Sequence, residues 1–191
     1  MIRALNQLII RISTSWWWFL ITMALAFGSL AALMRIGEGF PAVAGGAQPF
    51  DLQNDLTAAE VLAQLPGYSE AARQQYLLFT AIDYVFPLAA GLFLAAIGAF
   101  CLRQAFPGVY ASLTQRQLLP LLLLSSLFDW CENVAAITAI VAYPETTAAM
   151  ATAIVVAKKL KLAFLVITQG VTLLLMLAAA GTWIAGRIQR G

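Results

Sequence analysis

The sequence predicts an all-α integral membrane protein, four transmembrane helices in a bundle, with an outer connection of about 40 residues that contains a short helix. Three observations carry this. Hydrophobic residues make up 62% of the 191-residue chain and charged residues only 10%, a balance foreign to soluble globular domains. Apolar stretches occupy residues 16–34, 77–102, 117–143 and 146–186, and roughly 20 such residues suffice to cross a bilayer as a helix. The charges are also segregated. Arg3 and Arg11 precede the first stretch, Arg103 and Arg116 lie between the second and third, and Arg187 and Arg190 end the chain. Of nine acids, Glu38, Asp51, Asp55, Glu60 and Glu70 fall in the connection after the first stretch. The positive-inside rule then places both termini in the cytoplasm, with the spans in the cell (inner) membrane.

Residues 1–15 read as a basic amphipathic lead, with Leu5, Leu8, Ile9 and Ile12 at helical spacing, suited to lying on the inner leaflet. The first span, 16–34, opens with Trp16, Trp17 and Trp18, indoles that favour the headgroup boundary. A cleavable signal peptide is the rival reading of this segment. The long basic lead and a span of about 19 residues favour a retained anchor.

The extracytoplasmic connection, 35–76, is irregular around Gly45, Gly46 and Pro49. A capping-box pattern from Thr57 to Glu60 then starts a short helix that ends at Pro66 and Gly67. Asp51 sits between apolar residues Phe50 and Leu52, which reads as a segment folded down on the bundle. In the second span, 77–102, Thr80, Asp83, Tyr84, Pro87 and Gly91 share one face. Pro87 frees a carbonyl near Asp83 and is expected to kink the helix. Residues 103–116 are expected to form a cytoplasmic loop.

The third span, 117–143, admits Pro120 in its first turn and carries Ser125, Ser126, Asp129, Glu132 and Asn133 as one polar stripe. A turn at Pro144 leads into the fourth helix, 146–186, and 187–191 form a cytoplasmic tail. That last helix, about 40 residues or about 60 Å long, exceeds a hydrocarbon core of about 30 Å. Either its start projects outward as a hairpin with the end of the third helix, covered by the acidic connection, or its lysines fall near mid-membrane. Both arrangements bring one or more of Lys158, Lys159 and Lys161 towards Glu132.

A carboxylate at the centre of a span costs about 2.5 to 3.5 kcal/mol on insertion scales, so ionisable residues there are functional candidates. Asp83, Asp129 and Glu132 are the candidate catalytic groups. Tyr84, Trp130, Asn133, Lys158, Lys161, Gln169 and Asp51 are the candidate ligand-binding residues, with Thr168 nearby. Paired carboxyls can donate and accept protons without histidine. The same groups also serve a purely structural reading, as hydrogen-bonding anchors between helices.

Several classes are excluded. The chain has no histidine, which removes the common zinc, haem and histidine-based catalytic sites. Cys101 and Cys131 fall at different depths and support neither a disulfide nor a metal framework. Phosphate-loop, dinucleotide and nucleic-acid signatures are missing, so no cofactor, metal or nucleic-acid partner is expected. The expected partners are membrane lipids or an apolar small molecule, with a membrane-protein partner or a second copy of the chain as the alternative. Three functions are therefore carried forward: binding, with possible isomerisation, of an apolar or lipid-like molecule; an accessory subunit of a larger complex; and a proton or cation pathway.

Four spans, inward termini, an acidic outer connection, the Asp51-Leu52-Gln53 segment, Asp83 through Pro87, and Glu132 together resemble the layout of the EXPERA family, whose members include sterol isomerases and sterol-binding receptors. The resemblance implies an apolar ligand near the intramembrane acids. The chain departs from that family in lacking histidine and in the pattern Asp129-x-x-Glu132-Asn133.

Overall fold

The computed structural model describes residues 1–188; the expected cytoplasmic tail, from residue 189 on, lies outside the described residues. It is 86% helical, with no strand among the described residues. Eight α-helices follow one another: α1 (Ile2–Thr14), α2 (Trp16–Gly39), α3 (Ala58–Gln64), α4 (Glu70–Asp83), α5 (Phe86–Ala105), α6 (Pro107–Gln115), α7 (Leu124–Ala142) and α8 (Ala148–Ile188). Four helical stretches are long and apolar enough to cross a membrane: Trp16–Ala42, Glu70–Ala105, Leu119–Ala142 and Ala148–Ile188.

The lead helix α1 does not leave its apolar face for lipid. Ile9 and Ile12 are buried against Leu92, Ala95, Ala96 and Ala99 of α5 and against Leu119 and Leu123 of a 3-10 turn. The alanines explain it: a shelf of small side chains lets a second helix approach closely. Asn6 Nδ2 donates to the Thr114 carbonyl at 3.2 Å and Arg103 Nη2 to the Ser13 carbonyl at 3.1 Å, so the arginine-rich segments gather at one end.

The second of the four long stretches is broken, as Pro87 requires. Proline lacks an N–H and its ring clashes with the carbonyl four residues earlier, and α4 stops at Asp83 while α5 restarts at Phe86. Backbone groups freed inside an apolar region must be satisfied elsewhere, and α7 does this. Ser126 Oγ donates to the Pro87 carbonyl at 2.5 Å and Trp130 Nε1 to the Tyr84 carbonyl at 3.0 Å. Gly91 makes the approach possible, since a Cβ there would overlap Ser126 Oγ and press on Leu123.

Three boundaries differ from expectation. The segment expected as the loop 103–116 contains α6, whose first residue is Pro107; proline at the first helical position supplies the right φ and gives up an N–H that would be unbonded anyway. The third stretch opens with a 3-10 turn, Leu119–Leu123, and becomes α-helical only at Leu124, because Pro120 has no N–H to give the ladder. The second long stretch starts at Glu70, ahead of the apolar run at 77, and Ser69 Oγ caps it as its sequence position allows, accepting the Ala72 N–H at 3.1 Å.

At the far end the outer connection forms a cap. Phe40, Phe50, Tyr68 and Tyr76 are buried together on Ala136, Ala139 and Ile140 of α7 and on Ala151 and Ile154 of α8. Phe40 packs edge to face on Tyr68 and Tyr76, at 5.3 and 5.7 Å between centroids, and Phe50 stacks on Tyr68, both favoured aromatic arrangements. Thr57 and Glu60 form the expected capping box at the start of α3. The connection thus covers the hairpin formed by the end of α7 and the start of α8.

Candidate functional site

The stripe on α7 faces the protein interior. Ser125, Ser126, Asp129, Glu132 and Asn133 are all buried, at positions that three- and four-residue steps keep on one side of a helix. On α8 the matching groups are Lys158 and Lys161, three residues apart. Between them the cap inserts a 3-10 turn, Phe50–Leu52. Phe50 is fully buried as its anchor, which aims Asp51 at the lysines.

The result is one charge cluster. Lys158 Nζ lies 2.7 Å from Glu132 Oε1, with side chains 2% and 1% exposed, and donates to the Asp51 carbonyl at 3.0 Å. Lys161 Nζ contacts Asp51 Oδ1, lies 2.7 Å from Asp129 Oδ1 and donates to Glu132 Oε2 at 3.2 Å. The two 2.7 Å contacts are ion pairs by distance, at angles outside hydrogen-bond geometry. The carboxylates of Asp51, Asp129 and Glu132 lie within 4.8 Å of one another, a spacing that suits a cation, and the Lys161 ammonium is the cation among them.

Asp83 joins from the broken stretch. Its Oδ2 accepts from Asn133 Nδ2 at 2.9 Å. Tyr84 and Trp130 pair beside the break, 6.3 Å between centroids, and both are half-buried. Asp83, Asp129, Glu132, Asn133, Lys158, Lys161 and Asp51 are thus brought together, with Tyr84 and Trp130 at the margin.

One candidate is not brought in. Gln169 is exposed: at about 100° per residue it points roughly 80° away from Lys161, whereas buried Thr168 lies almost directly above. Lys159 is exposed for the same reason, one step round from Lys158. Ser126, placed on the stripe by sequence but not among the candidate site residues, holds the broken stretch beside the cluster through its bond to the Pro87 carbonyl. Its signal was the pairing of Pro87 with a serine on a neighbouring polar stripe.

Three cavities open elsewhere on the molecule, and none is lined by a residue of the cluster. The largest, about 620 Å³, is a groove between α5 and α8 near Cys101 and Trp183. Chemically the cluster sets its charges against one another.

The chain matches no family model, and it has no significant match among curated proteins or solved structures. The likeness to the EXPERA layout therefore stands on the residues quoted for it. Of these, Asp51 and Glu132 are engaged by lysine.

Proposed function

We propose that this chain is a four-span protein of the cell membrane, with both termini cytoplasmic, that acts as a non-catalytic subunit of a larger membrane assembly. Its buried charges serve as a clasp that closes the outer cap onto the long helix. The observation that carries this reading is the occupation of the acids: Asp51, Asp129 and Glu132 are each within ion-pair distance of a lysine on α8. A catalytic carboxylate must meet substrate, and these meet ammonium groups. The membrane reading is supported by the four apolar helices, and the orientation by the arginines at one end and acids at the other.

Gentle extraction followed by native mass spectrometry tests it. A stoichiometric companion subunit, or a homo-oligomer with no small ligand, is the expected outcome. A 20.6 kDa monomer carrying a retained apolar molecule contradicts it. Orientation is read separately: a reporter fused to the C-terminus is expected to be active only in the cytoplasm.

One observation favours a second reading, ligand binding. Four carboxyls (Asp51, Asp83, Asp129, Glu132) face two ammonium groups (Lys158, Lys161), and Asp83 is held by an amide. An apolar molecule entering beside Tyr84 and Trp130 would meet Asp83 first. Under this reading Asp83→Asn loses the retained molecule, and under the first it changes only stability.

A further inference from the structure

The end of the molecule farthest from the charge cluster has a site of its own. A cleft of about 340 Å³ opens where α1 turns into α2 beside α5. Its walls are Ile12, Phe19, Ala96, Ile97 and Phe100, with Trp16 and Arg103 at its edge. Arg103 has donors to spare: a guanidinium carries five N–H groups, and Nη2 donates to the Ser13 carbonyl. None of the ion pairs among the described residues involves an arginine. The segments that build this end, residues 1–20 and 96–118, contain no acid and hold Arg3, Arg11, Arg103 and Arg116.

A second feature points the same way. Helix α2 begins beside the cleft, and its N-cap residue Ser15 makes no side-chain cap. The first N–H groups of any helix lack acceptors within it, and an anion is a favourable partner for them. An apolar trough, a guanidinium with free donors and an uncapped helix start together specify an amphiphile with an anionic head.

We propose that this cleft seats one acidic phospholipid, its acyl chain along Ile12, Phe19, Ala96 and Ile97 and its phosphodiester at Arg103 and the start of α2. The inference rests on the membrane-spanning reading and is independent of the clasp. The oxygens of the phosphodiester accept from the guanidinium in the forked geometry arginine favours. A zwitterionic lipid brings a compensating ammonium into an end already rich in positive charge, and so binds less well.

The full chain, delipidated in mild detergent, is titrated with phosphatidylglycerol and with phosphatidylcholine of the same acyl chains, following thermal stability and the lipid retained by native mass spectrometry. Phosphatidylglycerol is expected to bind about fivefold more tightly, the worth of one basic contact at a membrane surface. Arg103→Gln removes that preference, and Arg116→Gln, on an exposed residue outside the cleft, keeps it. Brominated phosphatidylglycerol quenches a share of the tryptophan emission that disappears in Trp16→Phe, a readout that stands even if Arg103→Gln fails to fold. Equal binding of the two lipids, selectivity surviving in Arg103→Gln, or displacement by soluble glycerol phosphate, which would mark a site for free phosphate alone, overturns the proposal. Retention of neither lipid overturns it together with the membrane reading.

Discussion

Lys161 is the residue on which the cluster turns. Its ammonium is within ion-pair distance of Asp51, Asp129 and Glu132, whereas Lys159, two positions earlier, is exposed. Removing one partner of a buried pair leaves uncompensated charge and costs about 3 kcal/mol or more, while an exposed substitution away from such features stays within about 0.5 kcal/mol. Unfolding in detergent is therefore expected to separate Lys161→Met from Lys159→Met clearly; equal losses would make the lysines a simple boundary cluster. Glu60 offers a test outside the apolar segments. The Thr57 hydroxyl, then the Thr57 N–H, holds its carboxyl below the ordinary glutamate range. A depressed folded pKa contributes stability above the unfolded value and loses it as the pH falls through the folded one. Amide protection in α3, taken relative to the intrinsic exchange rate at each pH, is expected to fall on acidification, and in Thr57→Ala to be low already at neutral pH with a weaker acid response.

At the scale of elements, α5 and α7 are joined where the broken stretch needs help. A methyl group at Gly91 would displace Ser126 Oγ and with it the bond to the Pro87 carbonyl. Gly91→Ala is expected to cost about 1 kcal/mol or more, a lost buried hydrogen bond. Adding Ser126→Ala to it should cost little further, because neighbours that share one interaction are not additive. Additive losses measured by denaturation would separate the two residues. Much of this level was legible from sequence. Pro87 announced the break, the three- and four-residue spacing of Asp129, Glu132 and Asn133 announced one buried stripe, and the length of the last apolar run announced α8. What was not legible depended on partners. Nothing in residues 1–15 says that Ala95, Ala96 and Ala99 form a shelf for α1. The apolar composition around Pro107 resembles a turn as readily as the start of α6. Gln169 was drawn into the site by its nearness in sequence, and a helix rotates such a neighbour out of reach.

Over the whole molecule, the charges are sorted twice. Along the chain, Arg3, Arg11, Arg103, Arg116, Arg187 and Arg190 lie in segments without acids, while Arg35 and Arg73 share the acidic connection, which sequence alone displays. Inside the fold, the acids of the cap and of α7 converge on two lysines of α8, with Asp83 held beside them by Asn133, a meeting that sequence reasoning places only to within a turn of helix. The clasp and the cap act together, since Phe50 buries itself among Tyr68 and Tyr76 to deliver Asp51 to Lys161. The double-mutant cycle of Asp129→Asn and Lys161→Met, followed by chemical unfolding in mild detergent, tests this convergence most directly. The account predicts strong coupling, the double variant losing at least about 1 kcal/mol less than the two single losses summed. Losses that simply add would mean that the two groups do not meet, and would contradict it.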